Sequence, residues 1–174
     1  MSNYNWNYPN TVWFGNGRIK DLAKACKILN INKPLFVTDT DLVKTKMVEN
    51  ALEINKKVNL PTTVFSDLKG NPLGSSVKKG SEIFKNGNHD GVISFGGGSS
   101  LDVGKSIALQ SATNKPLWDF TDGGIFWKEN KFSASMAANR ISNPENIKPT
   151  IAIPTTAGTG SETSRAAAII NDET

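Results

Sequence analysis

The residues of this chain whose types and spacing could do chemistry are concentrated in one stretch, Ser94–Lys105, which reads SFGGGSSLDVGK. Gly96, Gly97 and Gly98 carry no Cβ, so the backbone there can adopt positive φ and let a bulky anion reach main-chain N–H groups. The run Gly91-Val92-Ile93-Ser94-Phe95 ahead of them reads as a buried strand. Behind them Leu101, Val103, Gly104, Ile107 and Ala108 recur at three- and four-residue intervals, which predicts an amphipathic helix. The first turn of that helix offers unpaired N–H donors and the positive end of the helix dipole, a natural seat for phosphate. Ser99 can act as its N-cap or as one more donor to a phosphate oxygen. On the glycines alone, a tight strand-to-helix turn with no ligand remains the other reading.

Two familiar phosphate loops do not match. A P-loop allows four residues between its first glycine and Gly-Lys-Ser/Thr, whereas Ser99, Ser100, Leu101, Asp102 and Val103 separate Gly98 from Gly104-Lys105-Ser106. The extra residue turns Lys105 by about 100° around the helix, away from a phosphate. The Rossmann fingerprint requires Gly or Ala where this chain has Leu101.

These features need a frame of strands and helices. A chain of 174 residues is long enough for one domain with a core and short for two. No apolar run approaches a membrane span and Met1–Asn10 lacks a signal-peptide pattern, so no membrane is expected and the cytoplasm is the default location. Cys26 is the single cysteine, which excludes disulfides within the chain. A formal charge of +4, with lysines dispersed, does not indicate a nucleic-acid surface.

In order along the chain, Thr11-Val12-Trp13-Phe14 reads as a strand, followed by a helix with Ile19, Leu22, Ala23, Cys26 and Leu29 on one face. Cys26 is expected in the core. Pro34–Thr38 is a second strand, ending at Asp39, where an acidic side chain can accept both hydroxyls of a ribose or can cap the next helix. That helix should turn Leu42, Val43, Met47 and Leu52 or Ile54 inward. Thr62–Phe65 is a third strand, and Gly70-Asn71-Pro72 a turn before a helix reaching about Phe84. His89, the only histidine, falls in a polar turn and is expected at the surface, with no ligand set beside it. Residues from about Ser111 to Pro149 form a long loop carrying Trp118, Phe120, Phe126, Trp127 and Phe132, expected to anchor the excursion. Thr150–Pro154 is a strand running into TTAGTGSE, whose small donors suit a second segment around a polar ligand, and Arg165–Ile170 reads as a further strand. Ile169 and Ile170 are expected to be exposed and sticky.

GGGSSLDVGKSIAL and AIPTTAGTGSETSRAAAIINDE, taken together, resemble the iron-containing (group III) alcohol dehydrogenases, from Phe14–Gly17 to the last residue. The resemblance implies that residues 1–174 form an α/β domain with a Rossmann-like, mostly parallel sheet. This is the N-terminal half of a two-domain, dehydroquinate synthase-like fold whose helical, metal-binding half is not in this chain. It implies NAD, with NADP possible, and Fe2+ or Zn2+ only with that second half. By position, Asp39 would hold the adenosine ribose, Asn71 the adenine side, and Gly97, Gly98 and Ser99 (with Gly96 from the loop itself) the diphosphate. Asp102 would lie near the nicotinamide, and Thr155, Thr156, Thr159 and Ser161 would close over adenine and nicotinamide. The implied reaction interconverts a small alcohol and an aldehyde or ketone by hydride transfer, with a divalent metal as Lewis acid, in what is commonly a homo-oligomer. A glycerol dehydrogenase-like relative and a non-catalytic nucleotide-binding module are the alternatives. The chain alone is expected to be inactive.

Overall fold

The computed structural model describes residues 10–68, 70–122, 124–125 and 147–172. Among them β1 (Pro34–Val37), β2 (Thr63–Phe65), β3 (Gly91–Gly96) and β4 (Thr150–Pro154) form one parallel sheet in the order β2-β1-β3-β4. The helices are α1 (Leu22–Ile28), α2 (Lys46–Lys57), α3 (Gly74–Asn86) and α4 (Gly98–Ala112). In register, Val37 lies opposite Phe65 on one side and Ser94 on the other, and Gly96 lies opposite Pro154.

A parallel sheet must be covered on both faces, and the strand sequences supply apolar side chains to both. Leu35, Val37 and Val92 pack with Val77 and Phe84 of α3 and Val103 and Ile107 of α4. Phe36, Ile93 and Phe95 point the other way, against Leu22 and Cys26 of α1 and Val48 and Ala51 of α2. The Phe36 and Phe95 rings stack at 5.6 Å between centroids. The result is a three-layer α/β/α sandwich. β4 alternates between exposed and partly buried residues, the pattern of a less covered strand.

The edge where the strands begin is pinned by side chains. Asp90 Oδ1 and Oδ2 accept the amides of Lys33 and Asn32, both at 2.8 Å, joining the turn before β3 to the turn before β1. His89, expected at the surface, is buried: its ring tilts against Phe84 and its Nδ1 donates to the Lys33 carbonyl at 3.0 Å. A turn is polar in sequence because its backbone needs partners, and here the histidine is one of those partners.

Several other expectations are corrected. Thr11–Phe14 is not a strand; it forms no ladder with the described residues, Phe14 is exposed, and Trp13 lies under the charged ends of Arg18 and Lys24. Arg165–Ile170 makes only an isolated bridge, Ile170 with Leu73, and Ile169 packs against the core rather than standing exposed. The helix after β1 is interrupted: a 3-10 turn at Leu42–Lys44 ends in extended Thr45, so α2 restarts out of phase and buries Val48, Ala51 and Asn55 while Met47 faces solvent. Leu29, placed on the inward face of the first helix, is exposed. The helix after the glycines is not amphipathic; from Ser100 to Ala108 only Lys105 escapes full burial. In the long loop Trp118 does anchor, its ring lying against Gly74 where a Cβ would come within 2.6 Å, whereas Phe126, Trp127 and Phe132 lie outside the described residues.

α4 can approach β3 because residue 104 has no side chain: a Cβ there would stand 1.8 Å from Ser94 Oγ and 3.0 Å from its Cβ. Gly104→Ala is expected to cost about 1–3 kcal/mol by overpacking, read as a lower urea midpoint, and Ser94→Gly in the same chain should recover part of it. Cys26 is expected to resist alkylation at pH 8, since desolvation first and the nearby Asp90 charge second push its thiol from 9.0 up to about 11. The folded chain keeps a proton that the unfolded chain releases sooner. The thiol's contribution to stability is therefore complete below pH 9 and is lost as pH rises through 11, which urea titrations across that range would detect.

Candidate functional site

The strand order puts a topological switch point between β1 and β3, and in open α/β sheets ligands lie at the carboxyl ends of the strands flanking such a point. Two of the residue groups singled out from the sequence leave the sheet there: Thr38-Asp39 after β1 and Gly97-Gly98-Ser99 after β3. Asn71 follows β2 and is exposed, on the α3 side of the same edge.

Gly96 closes β3 at φ +151°, and a Cβ there would collide with Ser100, 2.5 Å from its Oγ. The helix N-cap is Gly97, not Ser99, and no side chain caps it. Its first helical bond is Leu101 N–H to the Gly97 carbonyl at 3.2 Å. The amides of Gly98, Ser99 and Ser100 precede that bond and have no helical acceptor. They face the crevice with the positive end of a fifteen-residue helix behind them.

The hydroxyl-rich segment after β4 comes down on this loop. Thr155 N–H donates to the Gly96 carbonyl at 2.9 Å. A Cβ on Gly97 would meet Thr156 Oγ1 at 3.4 Å, and one on Gly98 would meet both Thr159 Cβ and Ser161 Oγ at 3.3 Å. Thr155, Thr156 and Thr159 are exposed and Ser161 is buried. The fold thus brings together two motifs that are about fifty residues apart in the chain, and the cradle between them is the size that missing side chains leave.

Asp39 proves to be a cap: its Oδ1 accepts the amides of Asp41 at 3.0 Å and Leu42 at 2.7 Å, starting the 3-10 turn. Capping and ribose binding are compatible, because a carboxylate has a second oxygen. Asp102 sits differently from the other candidates. Its Oδ2 accepts the Ala168 amide at 3.0 Å, and Lys105 Nζ stands 2.9 Å from Oδ1, close enough for an ion pair but off the line of a hydrogen bond. Lys105 donates to the carbonyls of Ser161, Ser164 and Ala166. The failed P-loop spacing is thus matched by a lysine whose donors go to backbone carbonyls of the segment after β4. The sequence reading missed its actual partners; the i, i+3 spacing of Asp102 and Lys105 signalled the ion pair, but nothing signalled the three carbonyls.

Two hollows elsewhere, of about 330 and 450 Å3, lie along α3, the first lined by Val77, Gln110 and Trp118 and the second by Val64, Asp67 and Ile83. Neither includes Asp39 or a residue of the glycine loop. Among the described residues no three His, Cys, Asp or Glu side chains gather as a metal site, and no helix is long and apolar enough to cross a membrane.

Fold and crevice define a doubly wound α/β domain with a side-chain-free loop at its switch point. Residues 9–174 match the family model described as iron-containing alcohol dehydrogenase, and the chain belongs to that family. It is 31% identical over 166 residues to choline dehydrogenase of Bacillus subtilis, covering 95% of this chain and 38% of the relative. Against NAD-dependent methanol dehydrogenase of Bacillus methanolicus it is 31% identical, covering 95% of this chain and 39% of that one. A crystal structure of NADH-dependent butanol dehydrogenase A of Thermotoga maritima superposes with a TM-score of 0.81 at 26% identity, over 99% of this chain and 39% of that chain. The chain therefore spans about two fifths of the length of the relatives it matches.

Asp39→Ala is expected to lose about 0.5–2 kcal/mol of stability with the cap, whereas Asp39→Asn, which keeps an acceptor oxygen, should lose little, both measured by chemical denaturation.

Proposed function

We propose that this chain supplies the cofactor-binding half of an NAD(P)-dependent alcohol oxidoreductase. The observation that carries the reading is the cradle at the switch point: first-turn amides of α4 that have no helical acceptor, with Thr156, Thr159 and Ser161 lying 3.3–3.4 Å from where a Cβ on Gly97 or Gly98 would stand. A dinucleotide's diphosphate fits this donor set, since it brings two negative charges and no need for a side-chain cation, and Lys105 is already engaged. Asp39 would offer its second oxygen to the adenosine ribose and disfavour a 2′-phosphate by charge repulsion, which makes NAD the preferred cofactor. Asn71, exposed beside that position, would meet the adenine side, and the hydroxyls of Thr155, Thr156 and Thr159 the remaining polar edges.

When bound, the cofactor would supply the redox chemistry, taking up a hydride from an alcohol carbon at nicotinamide C4 as the hydroxyl proton is released, to give an aldehyde or ketone. The relatives named above carry choline, methanol and butanol in their names, which supports a small alcohol as substrate. What this chain's residues do is bind, orient and shield the dinucleotide. The divalent cation implied by the family name does not fit the described residues, which gather no ligand set for it; a helical domain outside this chain would hold it.

The test is a titration of the purified chain with NAD+. The folded chain is expected to gain thermal stability by mass action, with NADP+ giving a smaller shift, and to turn over no alcohol by itself. Gly97→Val, at a backbone φ of −74° that any residue adopts, should keep the fold and abolish the shift. A shift that survives Gly97→Val, or steady alcohol oxidation by the chain supplied with divalent metal, would overturn the reading.

A further inference from the structure

The segment that covers the glycine loop is held at its two ends by different means. Upstream it is part of the sheet, through β4 and the Thr155 bond to Gly96. Downstream, residues 161–168 have no strand ladder, and the sheet-like contact resumes only at the isolated bridge of Ile170 with Leu73. Between those points its side-chain hydrogen bonds to α4 come from Asp102 and Lys105, and Asn10 Nδ2 donates to the Thr163 carbonyl at 2.7 Å.

An ammonium has three N–H donors and no acceptor. Lys105 meets three carbonyls, at 3.0 Å for Ser161 and 3.3 Å for Ser164 with Ala166 as the third, while the Asp102 carboxylate balances the charge from the side. The two side chains are only 19% and 10% exposed, so the pair is poorly screened and little water competes for these contacts. Asp102 adds the Ala168 amide at 3.0 Å. Every donor of the lysine is thereby committed to a backbone carbonyl, and of the aspartate's oxygens Oδ2 is hydrogen-bonded while Oδ1 makes only the ion pair. The first of the gripped carbonyls belongs to Ser161, whose Oγ is one of the atoms facing the side-chain-free position of Gly98.

We infer that Asp102 and Lys105 are positioning residues: a clasp on α4 that sets how closely segment 155–161 covers the glycine loop, and through it the affinity for dinucleotide, without either side chain touching the ligand. This rests on the cofactor site proposed above and reassigns Asp102 from a nicotinamide contact to a backbone tether. It also gives the Gly-Lys pair that resembles a P-loop a different task, in which the lysine binds carbonyl oxygens of the chain itself rather than phosphate oxygens of a ligand.

The experiment compares the full chain with Lys105→Met, which keeps an unbranched side chain one atom shorter and removes the three donors. Two readouts are taken: the Kd for NAD+, and amide hydrogen exchange of the ligand-free protein. The clasp predicts a Kd raised about tenfold or more, together with faster exchange at residues 161–168 while β3 keeps its protection. An unchanged Kd overturns the inference. So does a weakened Kd with unaltered exchange in the ligand-free protein, because that pattern belongs to a lysine acting directly on phosphate. Should Lys105→Met also loosen β3, Lys105→Gln, which retains an amide donor, is read by the same criteria. A wild-type chain that binds no NAD+ refutes the cofactor site itself, and is distinguished from failure of the clasp because it concerns the unsubstituted protein.

Discussion

The whole arrangement depends on how β3 ends. This strand is buried along its entire length between β1 and β4, and it must pass from extended backbone into a helix without leaving the layer it occupies. Gly96 makes the transition at φ +151°, a conformation side chains oppose and one in which Ser100 leaves no room for a Cβ. Because the turn is so short, the axis of α4 is fixed by the strand, and the amides of its first turn are aimed at the crevice between β1 and β3. Because the loop has no side chains, the segment after β4 can settle against it at van der Waals distance. The site is therefore a consequence of steric exclusion at a few positions rather than of any strong local attraction.

α4 has a second duty that its burial explains. One side lies on β3, close enough for Gly104 to sit against Ser94, and another meets α3 where Gly80 sits against Ile107. A helix covered on these sides has little polar surface left, and what remains at Asp102 and Lys105 is given over to holding residues 161–168. Paired charges placed there are costly to desolvate but strongly orienting once hydrogen-bonded. Coverage of the crevice is in this way tied to the same helix whose N-terminus forms its floor.

The opposite edge of the sheet has its own tie. Asp90 and His89 bind the turn before β1 to the turn before β3, so the two strands whose far ends flank the crevice are held in register at their near ends as well. At the start of α3 the C-terminal residues do similar work. The Asp172 carboxylate accepts the Ser75 amide at 2.9 Å and the Ser75 hydroxyl, and those bonds hold it below the usual carboxylate range.

The four strands and the glycine loop were legible in the sequence because they rest on local signals: apolar runs bounded by turn residues, and glycine where backbone must bend or come close; the parallel arrangement of the sheet came with the family resemblance. The alternation of Leu35 and Val37 against Phe36 was likewise sufficient to give both faces of the sheet apolar character. What the chain's order could not decide was anything that depends on a partner distant in sequence. Thr11–Phe14 has strand composition, but a strand exists only with a neighbour to pair with. His89 has the composition of a surface turn, but Phe84 and Lys33 bury it. The phase of α2 was lost to a 3-10 turn that Asp39 caps. Lys105 shows the difference most plainly: spacing alone ruled out a phosphate-binding lysine, yet only the folded chain could bring three carbonyls from beyond residue 160 to its ammonium, because backbone oxygens carry no sequence signature and become ligands only where tertiary packing gathers them.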